Sequence, residues 1–283
     1  MARSPTCPAL TQELHYRASL QVARLLGEGE TDRARLLQAA APLTDAHADH
    51  ARQKAAATVL VRLGLGRRRR VQPTGLHRLL AELSERAGRQ LLTYLVTLRE
   101  PMLAGLVAEV LHPHFLEHQT PAGMTTEEFS AVNANGLFEV AGAITHAAVA
   151  EYARRAWGLS DPSPTGRALR VLRKGGVLAS AWMGRSNGRC LGYFPIIGLP
   201  EWPCFAYALY AVHGDEGRVR IDRVRAGLFV RLFLLRPIAV DHLLERARSR
   251  GLIENPRSEI ARLTYRSLEG AVRAILDTHR MER

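Results

Sequence analysis

The side chains with the clearest capacity for chemistry lie in the segment H-P-H-F-L-E-H, at His112, His114, Glu117 and His118. Imidazole and carboxylate groups are common zinc ligands in proteins. Here, however, the histidine spacing of i, i+2, i+6 spans Pro113, and no second cluster shows ligand spacing. Histidines at a helix end are more often surface residues than ligands, so we expect no metal site.

Motifs for covalent or nucleotide chemistry do not occur either. The R-K-G-G segment lacks the frame of a phosphate-binding Walker loop, and neither G-x-S-x-G nor H-E-x-x-H is present. Cys7, Cys190 and Cys204 lie far apart without a C-x-x-C pair, which predicts no disulfide framework. We therefore expect a protein that is not an enzyme and holds no cofactor.

Phosphate binding is the chemistry that the composition favours. The formal net charge is +12, and only Lys54 and Lys174 are lysines. Arginine-rich coding in a GC-rich genome would raise the charge uniformly, but the excess is concentrated. Residues 1–150 carry 16 basic and 14 acidic residues, 151–200 carry 8 and 2, and 215–283 carry 15 and 10. Two basic blocks in the second half predict a polyanionic partner.

The first basic block contains a candidate helix with a hairpin behind it. In T-G-R-A-L-R-V-L-R-K the apolar residues share one side, and no acid occupies the other. Gly175-Gly176 then leads into two strand-like runs, 177–183 and 190–197, joined through Asn187-Gly188, a strong turn signal. Helix, glycine and hairpin in that order predict a winged helix that contacts double-stranded DNA through phosphates. Its candidate DNA-binding residues are Arg167, Arg170, Arg173, Lys174, Arg185 and Arg189.

The same order of elements recurs near the C-terminus. Helices are expected over 205–213 and 221–234. A third helix follows, with its core side formed by Val240, Leu243, Leu244 and Ala247. Strands over 252–254 and 260–265 and a last helix over 268–278 complete the unit. Arg246 lies on the outer face of the third helix and is a further DNA-binding candidate, but Asp241 and Glu245 offset it. For this unit the sequence favours docking of another protein over DNA binding.

The first hundred residues predict successive amphipathic helices, with Asp45 and Thr74 as N-caps. A run of four arginines, Arg67, Arg68, Arg69 and Arg70, falls in a loop there and is either a phosphate contact or a solvated loop. A helical pattern also runs from Thr125 through Trp157. The sequence thus predicts a mainly α protein with three domains: a helical bundle over 1–118 and winged-helix units over 119–200 and 201–283. The sequence has no apolar leader and no long apolar run, so we expect neither a signal peptide nor a membrane span. We expect a cytoplasmic location.

Several segments resemble the BrxA family, accessory proteins of BREX bacteriophage-defence systems. The resemblance is carried by S-L-Q-V-A-R-L-L-G-E-G (19–29), L-L-T-Y-L-V-T-L-R-E-P-M-L-A-G-L-V-A-E-V-L (91–111), F-A-Y-A-L-Y-A-V-H (205–213) and I-A-R-L-T-Y-R-S-L-E-G-A-V (260–272). Where the family has a W-S-x-x-T-like helix start, this chain has Trp157, a gap and D-P-S-P-T. The resemblance implies a NusB-like N-terminal bundle, winged elements, binding of double-stranded DNA without catalysis, and other BREX proteins as partners. Two alternatives remain. One is an adaptor whose winged units, including the first, dock other defence proteins, and the other is RNA binding by the bundle, which is favoured only by the NusB likeness.

Overall fold

A computed structural model describes residues 15–63, 65, 70–117, 143–183, 190–196, 199–235 and 237–282 of the 283-residue chain. Within these ranges the protein is mainly helical, with two small antiparallel three-stranded sheets. The predicted mainly α class is therefore confirmed.

Five helices are described in the N-terminal part of the chain. They are α1 (Tyr16–Gly27), α2 (Arg33–Ala40), α3 (Asp49–Arg62), α4 (Gly75–Glu82) and α5 (Glu85–Arg99), with a 3₁₀ turn at Ala41–Leu43. Their apolar faces pack together, and α1 lies against α4 and α2. The predicted cap at Asp45 is wrong, because α3 begins at Asp49 after Ala48.

The predicted cap at Thr74 is confirmed, and its partner is a buried histidine. The backbone N–H of Thr74 donates to His77 Nδ1 at 2.9 Å, and His77 Nε2 lies 2.9 Å from the carbonyl oxygen of Leu63. These two bonds require a neutral ring with its proton on Nε2. Burial lowers the pKa of His77, which keeps the ring in that form.

The next helical stretch changes its winding. α6 (Pro101–Gly105) runs into a π-helical segment at Leu106–Leu111, and α7 (His112–Glu117) follows. Glu109, in the π segment, accepts hydrogen bonds from Tyr152 Oη at 3.4 Å and Trp157 Nε1 at 3.3 Å. The π segment is thereby tied to a helix that comes later in the chain.

The first sheet module consists of β1 (Ile144–Thr145), α8 (His146–Trp157), α9 (Ser163–Lys174), β2 (Leu178–Met183) and β3 (Cys190–Pro195). The strand order is β1-β3-β2, and Leu178 to Met183 pair with Pro195 to Cys190. The predicted helix and hairpin are confirmed. The helix predicted to continue from 125 through Trp157 is wrong at Ile144–Thr145, which form a strand whose second residue caps α8.

The second sheet module consists of β4 (Arg218–Arg220), α11 (Ile221–Arg225), α12 (Leu228–Leu232), α13 (Pro237–Ser249), β5 (Ile253–Glu254) and β6 (Ile260–Leu263). Its strand order, β4-β6-β5, repeats that of the first module. α10 (Trp202–His213), with a 3₁₀ turn at Gly214–Glu216, precedes it, and α14 (Leu268–Met281) follows. A single helix over 221–234 was expected and is wrong, because the chain breaks at Ala226 and Gly227.

The helices before the two hairpins end in the same way, 75 residues apart. Gly176 and Gly251 both adopt positive φ, at 74° and 66°, a conformation that only glycine adopts without strain. The N–H of each donates to a carbonyl three residues earlier, that of Arg173 in one case and that of Arg248 in the other. The buried positions Ala168, Leu169 and Leu172 correspond by the same offset to Leu243, Leu244 and Ala247. The offset therefore aligns the two helices residue by residue.

Two compact units divide the described chain, and they interleave along it. One contains Thr93–Pro200 and Arg223–Val240, and the other contains Leu14–Leu92, Glu201–Asp222 and Asp241–Arg283. The division into domains at 118 and 200 stays a prediction.

No single helix among the described ranges is long and apolar enough to cross a membrane. Only α5 counted together with the segment Pro101–Phe115, across a bend of 104°, reaches that length and composition.

Candidate nucleic-acid interface

The surface of α9 is built on a fully buried apolar face. Ala168, Leu169 and Leu172 are 0% exposed, and Val171 is 3% exposed, as the sequence predicted. With that face fixed in the core, the basic side chains must project elsewhere. Arg170 and Arg173 are exposed, whereas Arg167 and Lys174 are half-buried.

The basic groups gather toward the C-terminal end of α9. Arg170, Arg173 and Lys174 lie in its last five residues, where cations also interact favourably with the helix dipole. Arg173 Nη1 lies 3.4 Å from Ser180 Oγ on β2, so this guanidinium bridges the helix to the hairpin strand. The end of α9 is thereby tied to strand β2.

Arg167 occupies a different environment from the other three. Its Nε is buried and has no hydrogen-bond partner among the described residues. The hydrogen bond from the backbone N–H of Ser163 is the main cause of the lowered pKa of Asp161, and the charge of Arg167 lowers it slightly further. Arg167 is thus partly committed to the start of its own helix.

The start of α9 is locked to α8 by contacts that the sequence did not reveal. His146 Nε2 lies 3.1 Å from Thr165 Oγ1 and 3.2 Å from the carbonyl oxygen of Pro162. A Cβ atom at Gly166 would come within 3.2 Å of the same nitrogen. The helix begins at Ser163, directly after the D-P pair, and these contacts fix its direction relative to α8.

Two further arginines on α8 were missed. Arg154 and Arg155 are both exposed, and both bind the carboxylate of Glu151, with Arg154 Nη2 at 2.7 Å from Oε1. These hydrogen bonds lower the pKa of Glu151 to about 2. The E-x-x-R-R spacing could have shown this cluster, because i, i+3 and i, i+4 positions meet on a helix.

Five of the predicted contact residues, Arg67, Arg68, Arg69, Arg185 and Arg189, lie outside the described residues. Arg70 is described and exposed, and it forms an isolated antiparallel bridge with Asp32. It is not part of the first sheet module.

On α13 the predicted core side is confirmed, since Val240, Leu243, Leu244 and Ala247 are at most 1% exposed. The positive charge on the outer face of this helix is offset by a carboxylate of the same helix. Glu245 accepts from Arg248 Nε at 2.6 Å and from Arg257 Nε, in the hairpin turn, at 2.9 Å. These two hydrogen bonds lower the pKa of Glu245, which remains a carboxylate and holds both guanidinium groups.

Two more arginines, one in α13 and one directly after it, have different environments. Arg246 is exposed. Arg250 lies with its guanidinium carbon 4.5 Å from the ring centre of Trp202 and donates to Glu282, which also accepts from Trp202 Nε1 at 3.0 Å. Arg250 therefore joins the end of α13 to α10 and to the residue after α14, and it contributes to the fold.

No group of three or more histidine, cysteine, aspartate or glutamate side chains that could hold a metal occurs in the described parts of the chain. His112 is half-buried, and burial followed by the charge of Arg231 lowers its pKa.

Comparisons with protein-family models, with curated proteins and with solved structures find no match for the chain.

Proposed function

We propose that the protein is a non-enzymatic accessory factor of a BREX-type phage-defence system that binds double-stranded DNA mainly through phosphate contacts. The first sheet module would act as a winged helix, with α9 toward the major groove and the β2–β3 hairpin as the wing. The strand–helix–helix–hairpin order and the β1-β3-β2 sheet support this reading. The BREX assignment rests on the sequence resemblance.

The single observation that carries the proposal is a difference in charge at aligned positions of the two modules. From α9 through β3, residues 163–195 contain six basic residues and no acid. From α13 through β6, residues 237–263 contain five basic and four acidic residues. Arg170 of α9 aligns with Glu245 of α13, the carboxylate that neutralises two arginines there.

The placement of charge on α9 favours phosphate contacts over base reading. Recognition helices usually contact base edges through their N-terminal residues. In α9 those are Ser163, Pro164 and Thr165, and the last two are buried, whereas the exposed basic groups lie at the other end. Binding should therefore depend strongly on salt and little on DNA sequence.

For the outer face of α13 in the second sheet module we propose a different role, the docking of another protein of the defence system. Its outer helix face is charge-balanced by the Glu245–Arg248–Arg257 cluster, which leaves little electrostatic attraction for a polyanion. The N-terminal bundle as an RNA-binding element is a second candidate, favoured only by the NusB likeness.

Fluorescence anisotropy with a labelled duplex tests the main proposal. At low salt the wild type should bind duplex DNA, and Arg170→Glu/Lys174→Glu should bind it at least about tenfold more weakly, because two attractions become two repulsions. The control Arg17→Glu/Arg86→Glu makes the same charge change at exposed positions of α1 and α5 and should bind like the wild type.

Two results would contradict the proposal. If the wild type does not bind duplex DNA even at low salt, the function is wrong. If both double variants weaken equally, the site assignment is wrong and only net charge matters. Tighter binding of duplex RNA than of DNA would favour the NusB-like alternative.

A further inference from the structure

The exposed face of the second sheet places two arginines directly opposite each other. Arg218 on β4 and Arg262 on β6 are partners in the antiparallel ladder, and both are exposed. The neighbouring pair is hydrogen-bonded, with Leu263 N donating to Gly217 O at 3.0 Å. Hydrogen-bonded and non-hydrogen-bonded pairs alternate, so the arginines form a non-hydrogen-bonded pair, whose Cα atoms approach to about 4.5 Å. Like charges in this arrangement repel and destabilise the sheet.

The surrounding carboxylates relieve little of this repulsion. Glu254, the partner of Arg262 on β5, lies 3.9 Å from its Nη1, and the two side chains are 54% and 66% exposed. Exposed pairs at that distance contribute little. Among the described residues no carboxylate forms an ion pair with Arg218 or with Arg266, which follows β6.

These arginines line one concavity of about 410 Å³. That volume falls within the range of small-ligand sites, about 300–1,000 Å³. The polar side chains around it are Arg218, Arg262, Arg266, Thr264, Asp215 and Glu216. Three cationic and two anionic groups leave a charge of +1, which matches a monoanion better than a dianion.

We propose that this concavity binds one phosphodiester group of a nucleic-acid backbone. A phosphodiester carries a single negative charge, and its two free oxygens accept the paired N–H donors of arginine. A ligand between Arg218 and Arg262 would also remove the repulsion that the bare sheet carries. The source of the phosphodiester in nucleic acid rests on the proposed function, whereas the anion chemistry of the concavity does not.

The same strand provides a matched control. Arg220 lies two residues from Arg218 on the exposed side of β4, but Asp222 holds its guanidinium through Nε at 3.1 Å and Nη2 at 2.6 Å. Arg218→Gln and Arg220→Gln therefore remove the same charge from the same strand. Only the first changes the concavity.

Binding of the dinucleotide d(TpT), which has one phosphodiester and no terminal phosphate, is the direct test. The full-length protein should broaden its ³¹P resonance, and Arg218→Gln should weaken binding at least about tenfold, the effect of one lost charge-assisted hydrogen bond. Arg220→Gln should bind like the wild type, and dianionic thymidine 5′-monophosphate should bind more weakly than d(TpT). Equal effects of the two substitutions, or no broadening by the wild type, would overturn the proposal.

A salt titration on duplex DNA then identifies the source of the phosphodiester. If duplex backbone occupies the concavity, Arg218→Gln should lower the salt slope by about 0.9 and Arg220→Gln should leave it unchanged. Loss of d(TpT) binding without a change in slope would assign the concavity to single-stranded backbone. A wild type that binds d(TpT) but no duplex would refute the main function and still support this phosphodiester site.

Discussion

Replacing Arg170 and Lys174 by glutamine should halve the contribution of α9 to the salt dependence of duplex binding. The described part of α9 offers four basic side chains, Arg167, Arg170, Arg173 and Lys174. One phosphate per side chain gives a slope of log affinity against log salt of about −3.6, or about a 150-fold loss over a fourfold rise in salt. Two contacts give about −1.8, or about a 12-fold loss.

Glutamine is chosen over glutamate because it removes the charge without adding repulsion. Anisotropy titrations at salt concentrations from about 50 to 200 mM measure both slopes. The exposed control pair Arg17→Gln/Arg86→Gln, on α1 and α5, should leave the slope at its wild-type value.

An unchanged slope in the α9 glutamine variant would refute the reasoning, even if its affinity fell. Weaker binding by the same factor at every salt concentration would mean that the two side chains do not displace counterions, and hence that they do not contact phosphates. Equal slopes in the control and α9 variants would assign the binding to net charge alone.

Three further predictions address the second module, the hairpin entry and the bundle. In the background of the α9 glutamine variant, Glu245→Gln should raise duplex affinity in the anisotropy assay, because it frees Arg248 and Arg257 from their carboxylate partner. The control Glu269→Gln, at an exposed position of α14, should raise the affinity less. Equal gains would show that Glu245 does not specifically neutralise these two arginines. Gly176→Ala should lower the free energy of unfolding, measured in urea, by roughly 1–2 kcal/mol, because alanine is strained at positive φ. The space around the glycine is open, so a steric clash of the added methyl group does not contribute. An unchanged free energy of unfolding would contradict the φ of 74°. The pKa of His77 is lower in the folded protein than in the unfolded chain, so the unfolded chain takes up the proton first and stability should fall as the pH drops below about 6.5. In urea titrations His77→Gln should flatten that fall, whereas the exposed control His50→Gln should not. A fall that persists in His77→Gln would mean that another group causes it.

The sequence predicted the elements whose signals are local. The spacing of apolar residues on α9 and α13 gave their buried faces correctly, and the Asn187-Gly188 pair gave the β2–β3 hairpin. These features depend on residues within one or two turns of each other. Periodicity and turn chemistry report such contacts directly.

The missed elements depend on partners far away in the chain. Ile144–Thr145 and Arg218–Arg220 are too short to show alternation, and each forms a strand only because it pairs with a strand 40 to 49 residues later. The break at Ala226 and Gly227 and the π segment at Leu106–Leu111 likewise leave no periodic signal. Local propensity is overridden by tertiary context in all of these.

In the candidate interface, too, the local features could be predicted from the sequence and the contacts between distant residues could not. That Arg167, Arg170, Arg173 and Lys174 lie on one basic helix could be predicted, because charge and helical period are both local. The anchoring of α9 by His146 could not, since that contact joins residues 19 apart across two helices. Nor does composition reveal that Glu245 binds an arginine in the hairpin turn, because the turn must first fold back onto α13.

The 75-residue alignment of α9 and α13 has a consequence for how such a chain can change over time. The aligned interior positions and the terminal glycine must be kept in both copies, since they determine whether each helix folds. The outward positions are under no such constraint, and one of them carries arginine in one copy and glutamate in the other. The same buried frame can thus present a cationic surface in one module and a charge-balanced surface in the other, without any change to the packing that folds the helix.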